Sequence, residues 1–412
     1  MKNIPDCLRG VSPISRVLAP LCIVFLLLSS ALAAERNDPT WETGPADSQV
    51  AEAPGLTSKP VPSLWKYGAY LDIGYTIDAN HPENGIWRSK STTFKVDAPK
   101  LNMVMGYVRK DTTPESRWGM EFGLQDGVDS QGLIPGPPPE ANAPVKHADQ
   151  YRHLAAANLT YLLPKGKGIG ITGGLFQGYP GYESFHAIDN PNYTRGYITD
   201  MVPYFLVGAK AACPVSDSLD LDFFAVTGYN YLANPNDVPS FGFQMGWRPS
   251  AEITITQNFY YGPDQENTQI EYWRFFSDSI LEWKRDPFLV AFVFDVGTEK
   301  QAAQPGTPQY NWMASALWLG WHVGGPWHLA FRPELYWDPN GLITGAEQFI
   351  QAYTATLKYR FTPFGMGDVA ASLEYRYDRS TGQDGGFYCG SNNRLVPNQQ
   401  LLIFALTWAF GK

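Results

Sequence analysis

Hydrophobic and polar residues alternate most regularly in residues 326–339, PWHLAFRPELYWDP. Successive side chains of a β-strand point to opposite faces, so a period of two indicates a strand. Trp327 and Trp337 lie about ten residues apart, which at roughly 3.3 Å per residue spans the apolar layer of a membrane once the strand tilts. The pattern predicts a strand between lipid and water. The hydrophobic face carries Trp327, Leu329, Phe331, Leu335 and Trp337, interrupted by Pro333, and the opposite face carries His328, Ala330, Arg332, Glu334, Tyr336 and Asp338.

The same two-faced unit recurs from residue 64 to the end of the chain. We therefore predict an all-β fold, a transmembrane antiparallel up-and-down β-barrel of about 16 strands. Because one missed hairpin changes the count by two, barrels of fourteen and eighteen strands remain alternatives. The predicted strands are 65–76, 98–110, 117–126, 150–163, 168–179, 197–211, 217–231, 238–248, 251–262, 270–284, 286–298, 309–323, 326–338, 349–362, 367–379 and 399–410.

The lengths of the connections provide an independent test of this barrel. Loops after even-numbered strands are short, as in PKGK at 164–167 and GGP at 324–326, whereas most loops after odd-numbered strands are longer, as in 77–97 and 180–196. Short turns at one end and long loops at the other are typical of bacterial outer-membrane barrels. We expect the short turns to face the periplasm and the long loops to be extracellular.

The N-terminus has the pattern of a targeting segment. Lys2, Arg9 and Arg16 precede an apolar run, and Ala31-Leu32-Ala33 forms a small-x-small cleavage motif. We predict a signal peptide at 1–33, a flexible periplasmic leader at 34–63 and an outer-membrane β-barrel at 64–412. The formal net charge of −9 argues against nucleic acid as a partner, because a phosphate-binding surface should be basic.

Four stretches resemble a known family. They are GAYLDIGYTIDANHPENGIWR, GGLFQGYPGYES, NPNYTRGYITDMVPYFLVGAK and GPDQENTQIEYWRFFSDSILEWK, and the likeness extends over about residues 64–412. The sequence resembles the putative beta-barrel porin-2 (OmpL-like) family of bacterial outer-membrane proteins. The resemblance implies an outer-membrane barrel that acts as a pore, without an agreed substrate and without catalytic residues to transfer.

Charged residues on the inner face are the candidate pore-lining residues. Sixteen strands enclose more space than their own side chains can fill, so a water-filled channel is expected. Opposed charges on its wall would orient polar solutes and tune ion preference. Alternatively, they pair with one another and only solvate the interior. The candidates are Arg274, Asp278, Glu282, Arg332, Glu334, Asp338, Lys358, Arg360, Glu374, Arg376 and Asp378.

Two loops and the tryptophans also have predicted positions in the barrel. The proline-rich loop 127–149 is the best candidate for a segment folded into the lumen, although an exposed surface loop is equally compatible with its sequence. The Gly-rich loop 380–398 is expected to be flexible and external. We interpret most tryptophans as girdle residues at the membrane interfaces: Trp65, Trp118, Trp273, Trp283, Trp312, Trp318, Trp327, Trp337 and Trp408.

The sequence favours a porin for passive diffusion of small hydrophilic solutes or ions. The alternative is a non-conducting structural or adhesive barrel that binds partners through its extracellular loops. An enzyme is not expected, because Ser184 and His186 share a predicted loop without an identifiable third catalytic group. No cofactor and no metal site are implied. The expected partners are outer-membrane lipid and small polar solutes or ions. Many sixteen-stranded porins form trimers, so a homotrimer is expected by analogy.

Overall fold

The structure, a computed structural model, describes residues 64–133, 151–229, 231–232 and 235–411. The predicted signal peptide and leader lie outside these residues, as does most of the loop 127–149. Among the residues described, no helix is both long and apolar enough to cross a membrane.

The strands form one closed antiparallel barrel of 16 strands, as predicted. Each strand pairs with its neighbours in the chain, and the first strand closes the barrel by pairing with the last. The barrel strands are β1 (Trp65–Asp78), β2 (Pro99–Lys110), β3 (Trp118–Asp126), β4 (Leu154–Leu163), β5 (Ile169–Gln177), β6 (Phe205–Pro214), β7 (Leu219–Val226), β8 (Ser240–Trp247), β9 (Ile253–Pro263), β10 (Trp273–Arg285), β11 (Phe288–Lys300), β12 (Gln309–Gly324), β13 (Trp327–Asp338), β14 (Gln348–Phe361), β15 (Asp368–Thr381) and β18 (Asn398–Phe410).

The remaining elements are short and lie in the loops. β16 (Phe387–Cys389) and β17 (Arg394–Val396) form a hairpin before β18. Helices cover Val128–Leu133 and Tyr197–Asp200, and 3-10 turns cover Ala187–Asp189, Ile270–Tyr272 and Pro363–Gly365. The predicted sixth strand therefore begins too early, because residues 197–200 are helical and the strand starts at Phe205.

The two faces of the strands have different surroundings. On β11, Phe292 and Phe294 are exposed on the outside, whereas Ala291 and Val293 point inward and are buried. A large aromatic side chain left exposed at this regular spacing is stable in lipid rather than in water. The observed alternation therefore assigns the outward face to the hydrocarbon layer.

Trp312 and Trp318 do not belong to the aromatic girdle, so the prediction was wrong for these two residues. Both indoles point into the barrel and are at most 1% exposed. The indole of Trp312 fits because its cross-strand partner is Gly297, which has no side chain; a Cβ at that position would lie 1.9 Å from the indole. Trp65, Trp118 and Trp337 are exposed on the outside near strand ends, as a girdle requires.

The barrel ends differ as the connection lengths predicted. Short turns such as 325–326 join strands at one end, where Gly324 and Gly325 have φ of 137° and 54°, a backbone region that glycine enters without steric cost. Longer loops cover the other end. In the loop predicted at 380–398 to be flexible and external, Phe387 and Cys389 are fully buried and Arg88 Nη1 donates to the carbonyl of Gly386 at 2.9 Å, so this loop packs against its neighbours.

Candidate functional site: the barrel interior

One loop crosses the inside of the barrel. Residues 178–204, between β5 and β6, are here called the inserted loop. Tyr179 Oη donates to the carbonyl of Phe259 on β9 at 2.7 Å, and the amide of Ala187 donates to Tyr70 Oη on β1 at 2.9 Å. A single segment that reaches strands on different sides of a closed barrel must lie within it.

β13 anchors the inserted loop through two charged side chains. Arg332 Nη1 donates to Glu183 Oε1 and to the carbonyl of Thr194, both at 2.6 Å. Glu334 accepts from the amide of Tyr197 at 2.6 Å. Both anchors are inward-facing residues of the predicted pore-lining set, and they contact the loop rather than open solvent.

β15 supplies the second row of anchors. Glu374 accepts from the amides of Tyr193 at 2.8 Å and Thr194 at 3.1 Å, and Asp378 accepts from Tyr197 Oη at 2.9 Å. Arg376 lies between the carboxylates of Glu334 and Asp378, at 2.8 and 2.7 Å. Alternating signs along the row neutralise these charges in a site without solvent.

Further anchors come from β14 and from the opposite wall. Lys358 on β14 donates through Nζ to the carbonyl of Asn190 in the inserted loop. On β10, Asp278 accepts from the amide of Gly181 at 2.7 Å, and Glu282 accepts from Tyr182 Oη at 2.7 Å. The loop is thus bound at both ends of its path across the interior.

Three predicted pore-lining residues do not contact the inserted loop in these ways. Arg274 lies near the outer mouth and pairs with Glu299 at 2.5 Å. Asp338 accepts from the amides of its own outer loop, Ile343 at 2.9 Å among them. Arg360 is half-buried near the end of β14. All eleven predicted residues lie on inward-facing positions, but the structure brings together mainly those of β10 and β13–β15.

The loop residues that meet these anchors were missed by the sequence analysis. Glu183, Tyr193, Thr194 and Tyr197 lie in the stretches that carried the family resemblance, GGLFQGYPGYES and NPNYTRGYITDMVPYFLVGAK. Their density of polar and aromatic residues in a loop was the available signal. The prediction that Ser184 and His186 are unrelated to catalysis remains untested, and Ser184 Oγ accepts from the backbone amide of His186 at 3.2 Å within a turn.

The first outer loop, residues 79–98 between β1 and β2, packs against the inserted loop. Lys90 Nζ and Asp200 Oδ2 are 2.5 Å apart, and neither side chain is exposed to solvent. Burial raises the pKa of Asp200, but the opposing effect of Lys90 and its hydrogen bonds prevails and holds that pKa below its usual value. Trp87 Nε1 donates to Tyr197 Oη at 2.9 Å, so both loops close over the same part of the wall.

The first residues of the loop 127–149, which the structure describes as far as 133, contact the inserted loop. Arg195 Nη1 donates to Asp129 Oδ2 at 3.1 Å, and the amide of Thr93 donates to Asp129 Oδ1 at 2.7 Å. Burial raises the pKa of Asp129 to about 7 against the opposing effect of Arg195. The segment that the structure places across the lumen is 178–204, and residues 134–149 of the predicted candidate lie outside the described residues.

A cavity of about 100 Å³, here called the side cavity, lies between the inserted loop and part of the wall of β2–β5. It has room for several water molecules. Phe185, His186 and Tyr204 border it from the loop and its end. Its wall is formed by Met105, Tyr107, Glu121, Gly123, Gln125, Leu154, Ala155, Ala156, Gln177 and Phe205. Within the described ranges, no group of three His, Cys, Asp or Glu side chains could hold a metal ion.

Solved structures with the same architecture are porins and other outer-membrane proteins. OmpF of Salmonella typhi in complex with daunomycin has a TM-score of 0.53 at 11% identity, covering 84% of this chain and 97% of that chain. An anion-selective porin from Comamonas acidovorans has a TM-score of 0.52 at 10% identity, covering 84% and 99%. OmpT of Vibrio cholerae in its trimer form has a TM-score of 0.52 at 9% identity, covering 84% and 99%. At these identities the likeness concerns the fold.

The fold and the loop-filled interior define a porin-type β-barrel of the bacterial outer membrane. More narrowly, the chain belongs to the Putative beta-barrel porin-2, OmpL-like family, whose sequence profile matches residues 65–410. This confirms the resemblance inferred from the sequence. A comparison with curated proteins gives no match.

Proposed function

We propose that the protein is a channel for passive diffusion of small hydrophilic solutes or ions across the outer membrane. The observation that carries the proposal is the inserted loop. It is fixed by buried bonds to β10 and β13–β15, while a cavity with room for several water molecules remains beside β2–β5. A loop held across a wide barrel narrows the lumen and limits the size of what passes.

The eleven charged residues predicted to line the pore act, in this proposal, mainly through the inserted loop. Arg332, Glu374 and Arg376 have no exposed surface, so a passing solute would not touch them. Their role is to hold the loop at the position that sets the width of the channel. Arg274 and Arg360, near the ends of their strands, are the members of the set that keep some exposed surface.

The proposed assembly is a homotrimer. Support comes from the V. cholerae OmpT structure, which is described in a trimer form. Outward-facing residues such as Ala209 and Ala225 give flat surface on neighbouring strands that would let two barrels approach closely. Cross-linking of the detergent-solubilised protein should give a ladder that ends at three subunits, and a monomer at all concentrations would refute the trimer.

A second function is favoured by one observation, the extent to which the loops close the interior. Lys90, Asp200 and Arg195 are buried where an open pore would hold water. A non-conducting barrel that binds partners through its extracellular loops would have this closed mouth. The two functions differ in whether solutes cross.

Liposome swelling separates the two. The mature protein, folded into liposomes and checked for heat-modifiable migration, should admit small sugars and salts at rates that fall with solute size. Heat-denatured protein is the matched control. A folded barrel that admits no solute would refute the diffusion function and favour the adhesive one.

A further inference from the structure

Resting on the proposed channel function, we infer that solutes pass through the side cavity and that Glu121 makes this passage prefer cations. The solutes that fit are small monovalent cations and small organic cations. Glu121 was not among the residues that the sequence indicated.

The opposite wall offers no route. Arg332 and Glu183 are fully buried against each other, and Glu374 is covered by Tyr193 and Thr194. A solute crossing beside β13–β15 would have to break these buried bonds, each between charged or strongly polar groups. Water and ions therefore follow the side where the loop and the wall are separated.

The wall of the side cavity is recessed by small residues. Gly123 on β3 and Ala156 on β4 are cross-strand partners that point inward, and neither carries a side chain that reaches the loop. The lining from the loop is aromatic, with Phe185 and Tyr204. Space on this side is thus a consequence of residue size at paired positions of β3 and β4.

The charge of the lining is negative. Glu121 is the one carboxylate among the described lining residues, which include neither lysine nor arginine. Its cross-strand neighbour Arg109 pairs with Asp111, with Nε and Oδ1 3.0 Å apart, and Lys66 pairs with the same carboxylate at 2.8 Å, so neither cation forms an ion pair with Glu121 within the described residues. A single carboxylate in a narrow, partly desolvated passage attracts cations and repels anions.

The aromatic lining extends the preference to organic cations. Tyr107 is fixed by the hydrogen bond from its hydroxyl to the carbonyl of Gly411, at 2.8 Å. Its ring borders the cavity together with those of Phe185 and Tyr204. Ring faces beside a carboxylate favour alkylammonium groups over neutral solutes of the same size.

The first test is the reversal potential of Glu121→Gln in a potassium chloride gradient, at a mildly alkaline pH where an ordinary imidazole is neutral. Wild type should prefer potassium, and the variant should lose most of that preference, because Gln keeps the size and removes the charge. Glu115→Gln removes an equal charge from an exposed position in the turn after β2 and should behave as wild type.

The second test fills the cavity. Ala156→Phe places a ring over Gly123 and should reduce conductance severalfold, whereas Ala355→Phe adds the same ring to the lipid-facing side of β14 and should leave conductance unchanged. Each variant is measured after heat-modifiable migration shows that it has folded.

The outcomes separate a failure of the proposed channel function from a failure of the proposed route and its selectivity. If wild type conducts nothing, the channel function itself fails. If wild type conducts and Glu121→Gln has the same reversal potential as wild type, the channel stands and the assignment to Glu121 is overturned. If Ala156→Phe folds and conducts as well as Ala355→Phe, solutes do not use the side cavity.

Discussion

Arg332 on β13 and Glu183 in the inserted loop form an ion pair of 2.6 Å in which neither side chain is exposed to solvent. The two residues are 149 positions apart in the chain. Removing one partner of such a pair leaves the other charged and buried, which typically costs about 3–5 kcal/mol. The pair is therefore a main anchor of the inserted loop.

Arg332→Ala should release the inserted loop without unfolding the barrel, because the backbone pairing of β13 with β12 and β14 remains. We expect a protease to cut within 178–204 in the folded variant and not in wild type. Arg285→Ala is the matched control, since Arg285 makes an exposed pair with Glu252 at 3.6 Å, and exposed pairs contribute about 0–1 kcal/mol. Equal cleavage of both variants would contradict the anchoring role.

Phe292→Arg should impair insertion of the barrel. Phe292 lies in the middle of β11 and is exposed on the outward face, where arginine costs about 2–4 kcal/mol at the bilayer midplane. The measurement is the fraction of heat-modifiable, folded protein after refolding into lipid. Phe292→Leu keeps an apolar side chain and should refold like wild type, and the same yield for Arg and Leu would mean that this face does not contact lipid.

Packing around Asp129 should weaken as the pH rises. Burial raises the pKa of Asp129 in the folded protein to about 7, so the stabilising protonated form is complete at low pH and is lost as the pH rises through 7. The helix Val128–Leu133 should then open more often at pH 8 than at pH 6, as measured by protease cleavage near it. Asp129→Asn cannot ionise and should show no such difference. A pH response of equal size in Asp129→Asn would assign it to another group.

Trp87→Ala should loosen the contact between the first outer loop and the inserted loop. Trp87 is fully buried, donates to Tyr197 Oη and lies with its ring 4.8 Å from the guanidinium of Arg376. Replacing a buried tryptophan with alanine typically costs about 3–5 kcal/mol. Hydrogen exchange should rise in 79–98 and 178–204. Trp321→Ala, which truncates an exposed outward-facing indole, should leave exchange in both segments unchanged.

The strands could be predicted from the sequence because lipid and water impose opposite requirements on alternate residues. In β13, Phe331 and Leu335 had to be apolar and Arg332 and Glu334 could be charged, and the structure confirms this division. The same logic failed for Trp312 and Trp318, because β12 has apolar residues on both faces and the alternation gives no sign of which face is outside.

The inserted loop could not be predicted in the same way. Its position depends on contacts such as Glu374 with Tyr193, which join distant parts of the chain and follow no local period. Length and proline content pointed to 127–149, but they report stiffness rather than complementarity with the wall. The inward charges were found from their strands; their partners in the loop required the structure.

Single-channel conductance of the folded mature protein in a planar bilayer tests the central claim most directly. We expect stable open steps that grow with salt concentration, and larger steps for Arg332→Ala because release of the inserted loop widens the lumen. Steps of the same size in both proteins would contradict the claim that the loop sets the width. A heat-modifiable wild-type barrel without any steps would contradict the channel itself.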